Sequence, residues 1–211
     1  AAERPYVTWL GQQFNVRGQV ALVFRRRVAE NALIVGSANA ARYGMLAALV
    51  VSLSVNTGPE ETEFVILDKS IAGSQWSSVL REVTESVLLP AGFSVQFSKE
   101  TAKAESYLIA LVDEMDRRRA LNDAEIARAP SIFVVMTELD SIETLRRKVD
   151  SYGGMAESSL GEKLRRLYLE GAPLGIHLVL SFVGVRPMAN VIDERRGLIN
   201  FRHRVALQMS E

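Results

Sequence analysis

The chain has no cysteine, which excludes a disulfide framework, a thiolate metal site and a cysteine nucleophile, and fits a reducing compartment. Net charge is also lacking: 25 Lys and Arg balance 25 Asp and Glu. Overall charge therefore gives no support to a protein whose whole surface grips nucleic acid. Histidine is scarce, and His177 and His203 fall in or beside strand-like runs without metal-ligand spacing, so no metal site is expected. Long apolar runs are absent as well. The longest, Met45 to Leu53, is far short of the roughly 20 residues that span a bilayer, and no membrane contact is expected within this chain. The opening residues, Ala1-Ala2-Glu3-Arg4-Pro5, carry neither a basic n-region nor an apolar h-region. The missing initiator methionine and the abrupt end at Ser210-Glu211 lead us to expect a cytoplasmic piece of a longer protein, whose other segments supply any membrane association.

What is present is an ordinary globular composition, 48% hydrophobic and 24% charged over 211 residues, enough to bury one good core. Short β-branched and aromatic runs alternate with longer helical patterns. Strands are predicted at Val20–Phe24, Ala32–Val35, Phe64–Leu67, Phe93–Phe97, Ile132–Met136, Ile176–Leu180 and Val205–Gln208. Helices are predicted at Tyr43–Asn56, Gln75–Leu88, Ala102–Leu121, Ser141–Val149 and Glu157–Glu170. Strand and helix in alternation predict a doubly wound, mainly parallel α/β sheet in one domain over residues 1–211. Ala32–Val35, Ile132–Met136 and Ile176–Leu180 are the most continuously apolar, so they belong at its centre, covered on both faces. The first strands, within residues 1–30, have no helix between them and predict an antiparallel hairpin added at an edge.

The strand Ala32–Val35 runs into Gly36-Ser37-Ala38-Asn39-Ala40-Ala41-Arg42-Tyr43 and then a long apolar helix. That is the place of a Walker A loop, G-x-x-x-x-G-K-[ST], whose glycines and backbone N–H groups cradle phosphates while the hydroxyl ligates magnesium. Only Gly36 survives. Ala41 stands for the second glycine and resists left-handed backbone. Arg42 replaces the lysine with a larger planar fork, and Tyr43 fills space where the small hydroxyl belongs. Arg42 is therefore expected to turn away from a phosphate cradle, to solvent or onto a carboxylate.

The rest of the chain resembles the FtsK/SpoIIIE family of DNA-translocating ATPases from about Asn31 onward, with motifs in the family's order. The residues that carry the resemblance are the helix Gly44–Leu53, the strand Phe64–Lys69 ending in Asp68-Lys69, and Leu111–Arg118, similar to the family's Glu-Met-Glu-Arg-Arg helix. Ile132–Leu139 falls at the Walker B strand, Gly175-Ile176-His177-Leu178 and Arg186-Pro187 at a later strand and its loop, and Arg204–Ser210 at the last core strand. The resemblance implies a P-loop NTPase fold of the RecA/FtsK type. It also implies that Thr137 stands where the magnesium-holding Asp belongs, while the water-activating Glu is kept as Glu138. Asp140 has already left the strand and does not replace it. Gly36, Ala41, Arg42, Tyr43 and Thr137 thus read as a vestigial nucleotide site, with Glu138 a vestigial catalytic residue. No cofactor is expected: magnesium loses its ligands, and the alternative is ATP held without metal by Arg42 and the backbone amides at the helix N-terminus.

The implied role is a non-catalytic module of a larger FtsK-like DNA translocase, serving assembly, regulation or the DNA path. Its partners would be other domains or subunits of an oligomeric motor, and DNA. A degenerate module of a type VII-like protein secretion motor is the alternative, and an ATPase with unusual motifs a third. The runs Arg25-Arg26-Arg27, Arg117-Arg118-Arg119, Arg146-Arg147-Lys148 and Arg165-Arg166 are interspersed with acidic residues and read as solvated faces or subunit contacts before a DNA rim. Glu114 is spaced to pair with Arg117 and Arg118 on one helix face. Met115, Met136 and Met188 read as core filler, and Trp9 and Trp76, outside the sheet, as packed edge residues before partner anchors.

Overall fold

The computed structural model describes residues 5–12, 19–149, 151 and 154–208. In chain order the strands and helices are β1 (Tyr6–Gln12), β2 (Gln19–Phe24), β3 (Ala32–Val35), α1 (Asn39–Asn56), β4 (Thr62–Leu67), α2 (Val79–Val83), β5 (Ser94–Ser98), α3 (Thr101–Arg119), α4 (Asp123–Arg128) and β6 (Ser131–Thr137). They continue with β7 (Lys148–Val149), β8 (Met155–Ala156), α5 (Ser159–Glu170), β9 (Ile176–Phe182), α6 (Val185–Ala189) and β10 (His203–Ala206).

Six strands form one sheet in the order β10-β3-β9-β6-β4-β5, and every pairing in it is parallel. The runs predicted for the centre lie inside it. β6 and β9 are buried along their whole length, as is β3, whereas β5 and β10 at the two edges alternate with exposed positions. Successive side chains of a strand point to opposite faces, and two cores follow. Leu33, Val65, Val134 and Leu178 pack with α3 and α5 on one face, while Ile34, Phe64, Phe133 and Val179 pack with α1 on the other. The fold is thus the doubly wound α/β architecture expected. Met115, Met136 and Met188 are all buried in the α3/α5 core. Among the described residues no helix is long and apolar enough to cross a membrane.

Four local expectations are corrected. The N-terminal hairpin forms, but β1 and β2 make a two-stranded sheet of their own instead of extending an edge. It lies on α1, where the Thr8 hydroxyl donates to the Leu49 carbonyl at 2.9 Å and the Trp9 N–H to Ser52 Oγ at 3.0 Å. Its Phe24 meets Phe133 edge-on at 5.3 Å, so its apolar side covers a sheet face that a further edge strand would leave bare. The helix expected over Ser141–Val149 is replaced by single 3-10 turns at Leu139–Ser141 and Glu143–Leu145, followed by β7. Leu139, Ile142 and Leu145 are all buried, and their spacing of three is that of a 3-10 turn, in which i and i+3 eclipse. The helix expected over Gln75–Leu88 starts only at Val79 and passes into a π-helical turn over Thr84–Leu88. The end of the expected strand Val205–Gln208 shortens to Ala206, and Met209 and Ser210 of the last motif lie outside the described residues.

Candidate functional site

The carboxyl ends of a parallel sheet are where open α/β folds bind ligands, and here they converge. β3 delivers Gly36, β9 delivers Ser181, β6 delivers Thr137 and Glu138, and β4 delivers Asp68. The sites singled out in the sequence are therefore brought to one place, but the loop does not have the form of a phosphate cradle. Helix α1 begins at Asn39, not at Tyr43, so only Gly36-Ser37-Ala38 connects it to β3. Ala40 and Ala41, which would line a cradle, are the exposed first turn of the helix. Two alanines are the best helix formers available, and no second glycine holds the backbone out of the helix.

Gly36 is closely packed by neighbouring chain. The chain leaving β10 crosses it: Leu207 N–H donates to the Val35 carbonyl at 2.8 Å and Ser37 N–H to the Gln208 carbonyl at 3.0 Å. A Cβ on Gly36 would stand 2.6 Å from Leu207 Cβ and 3.1 Å from its backbone. The first loop amides are thus bonded to neighbouring strands, with Gly36 N–H on the Phe182 carbonyl at 3.0 Å.

Arg42 lies on a carboxylate, that of Glu138, in a close ion pair with the arginine side chain 1% and the glutamate side chain 13% exposed. The same guanidinium bonds Asn39 Oδ1 in the first turn of α1 and Ser181 Oγ at 3.3 Å, and it stands 5.4 Å from the centre of the Tyr43 ring. Glu138 reaches it from a left-handed backbone, φ 48°, a conformation that costs a residue bearing a Cβ roughly 1–2 kcal/mol. Burial pushes the Glu138 carboxyl above its ordinary range, and the Arg42 charge opposes that rise.

Thr137 is tied into the sheet end. Its hydroxyl donates to Asp68 Oδ1 at 3.3 Å and accepts from Lys69 N–H at 2.9 Å. Asp68, fully buried, also accepts from Ser70 N–H at 2.9 Å and faces Lys99 Nζ at 3.6 Å. Lys99 is itself held by Ser70 Oγ at 2.8 Å and the Ser77 carbonyl at 2.7 Å. Tyr43 is 2% exposed, and its hydroxyl lies against Thr137, pushed up to about 12 by burial, with Asp68 and Glu138 nearby adding to the effect. That hydroxyl makes no well-formed hydrogen bond among the described residues. Asp68, Lys99, Ser181 and Asn39 were not singled out as site residues in the sequence. Asp68 alone carried a signal, as the acidic end of the strand before Lys69.

Most arginines of the runs bind carboxylates or carbonyls of the same chain. Arg117 and Arg118 both bind Glu114, each at 2.6 Å, Arg166 binds Asp116 at 2.8 Å, Arg165 binds Glu162 at 2.7 Å and Arg147 binds Asp193 at 2.7 Å. Arg26 reaches the carbonyls of Ile126 and Ala129 at the end of α4. His177 is an aromatic-core residue, stacked on Phe133 at 5.1 Å.

No protein-family model matches the chain, and no curated protein matches it. Solved structures do. The cytoplasmic domain of the Thermomonospora curvata type VII secretion ATPase EccC is similar over 98% of this chain and 24% of its own, at 16% identity and a TM-score of 0.68. EssC (ATPases 2 and 3) from Geobacillus thermodenitrificans is similar over 100% of this chain and 38% of its own, at 17% identity and a TM-score of 0.60. Thermomonospora curvata EccC (ATPases 2 and 3), solved with a signal sequence peptide, is similar over 97% of this chain and 36% of its own, at 18% identity and a TM-score of 0.61. The chain spans well under half the length of these solved chains, and its fold is that of the ATPase domains of EccC and EssC.

Proposed function

We propose that this chain is a non-hydrolysing ATPase-fold module of a larger motor of the type VII secretion kind, acting through its surfaces on neighbouring motor domains and export substrate. The observation that carries the reading is the start of α1 at Asn39, which turns the cradle positions into helix. Phosphoryl transfer depends on positioning and charge around a magnesium-bound phosphate, and the residues present do not fit that group. Tyr43 takes the place of the ligating hydroxyl, Thr137 is bonded to Asp68, and Glu138 is bound by Arg42 instead of facing a water. A P-loop fold outlives the loss because its core is made by apolar strands and helices.

The choice of secretion over DNA as the setting is favoured by the multi-domain EccC and EssC neighbours, one solved with a signal sequence peptide, and by arginines of three of the four runs being paired with carboxylates of this chain. Isothermal titration with ATP, with and without magnesium, tests the non-hydrolysing reading. It predicts no magnesium-dependent gain in affinity. A magnesium-dependent gain of tenfold or more would overturn it.

A further inference from the structure

Resting on that reading, we propose that Glu138 is a tethered anion that occupies the oxyanion position at the start of α1 and closes it against phosphate. Three features meet at this point. The first turn of α1 leaves backbone N–H groups without intrahelical partners and carries the positive end of the helix dipole. Its N-cap, Ala38, supplies no side-chain cap. The Arg42 guanidinium sits in that same turn, bonded to Asn39 Oδ1. It is 1% exposed, and its Nε has no hydrogen-bond partner among the described residues. A buried planar cationic fork is the arrangement that takes phosphate or carboxylate oxygens, and the oxygens present at it are those of Glu138.

The manner in which Glu138 arrives supports a specific role. It is one of two non-glycine residues at positive φ among the described residues, and such conformations persist only where the surroundings over-determine them. Its main chain is fixed by its N–H on the Ser181 carbonyl at 2.9 Å, and its carboxylate by Arg42 and the backbone N–H of Val183. Taking the carboxylate away while keeping Arg42 leaves a buried cation without its counter-charge, to which the terminal oxygens of a phosphate-type oxyanion can bond.

The test is calorimetric titration of the whole chain with inorganic pyrophosphate, and separately with ATP, in EDTA without magnesium. Wild type, Glu138→Ala, Glu138→Gln, and Glu138→Ala with Arg42→Ala are compared. Glu138→Gln keeps the volume and can still bond Arg42, so it stays folded where Glu138→Ala is too weakened. Where Glu138→Ala melts low, a pyrophosphate-induced rise in its melting temperature is the readout. We expect pyrophosphate to bind Glu138→Ala at least tenfold more tightly than wild type, with a smaller gain for Glu138→Gln and none once Arg42 is removed. A gain with ATP but not pyrophosphate would place the recognition on the nucleoside and refute the proposal. So would equal pyrophosphate binding by wild type and by the folded variants, or a gain that survives loss of Arg42. ATP turnover by wild type would instead count against the non-hydrolysing reading, so the two failures are distinguishable.

Discussion

The guanidinium of Arg42 and the carboxylate of Glu138 form a buried ion pair across the carboxyl end of the sheet, one from the first turn of α1 and the other from the left-handed residue after β6. Removing one partner of a buried pair leaves the other uncompensated, which typically costs about 3–5 kcal/mol. Arg42→Met is expected to lower unfolding free energy by about 3 kcal/mol in urea melts. Adding Glu138→Gln to Arg42→Met should restore at least half of that, because the stranded charge is then gone. Equal melts for the single variant and wild type would show that the pair does not hold the site.

Gly36→Ala tests why the one surviving loop glycine is there. Its Cβ would meet Leu207 at 2.6 Å, so β10 and the chain after it must shift. A loss of about 1–3 kcal/mol is expected, as for other overpacked sites, with no change in nucleotide affinity. Unchanged stability with altered nucleotide affinity would return Gly36 to a phosphate-binding role.

His177 gives the fold a pH dependence. Full burial holds its pKa down to about 4, against an ordinary 6.5, and its Nδ1–H donates to the Glu30 carbonyl oxygen at 2.8 Å. The unfolded chain therefore binds the proton more readily between pH 6.5 and 4. The stability tied to a neutral His177, about 3 kcal/mol, is present above pH 6.5 and is lost as pH falls through that window. Melts at pH 7.5 and 4.5 should converge in their difference when His177→Phe is compared with wild type. The same pH dependence in both proteins would contradict the assignment.

Ala29 is the other non-glycine residue at positive φ, 66°. Ala29→Gly relieves a left-handed penalty of roughly 1–2 kcal/mol while adding unfolded-state entropy of somewhat less. A net gain of up to about 1 kcal/mol in a thermal melt is expected, and a loss would mean that the methyl group packs productively.

The sheet was legible because β3, β6 and β9 are buried on both faces and are therefore largely apolar, which short runs such as Ile132–Met136 display openly. The site was legible as a set of positions but not as a shape. The start of α1 was misplaced by reading Gly36–Tyr43 as a relic loop, although Ala40 and Ala41 favour helix when no second glycine intervenes. The turns from Leu139 to Leu145 deceived in a similar way, since burial at every third residue is shared by 3-10 turns and the first positions of an α-helix. Helix α4 did carry a readable signal, the capping box of Asn122 with Glu125, but its six residues bury no side chain and leave no periodicity to find. Where the N-terminal hairpin docks was beyond local sequence, because it is decided by ring contacts such as Phe24 on Phe133, more than 100 residues apart.

Phosphate release from ATP by the wild-type chain tests the central claim most directly. A helical cradle, a bonded Thr137 and an occupied Glu138 predict no release above background. Turnover above about 0.1 per second, low for an enzyme, that is abolished by Glu138→Gln would contradict it.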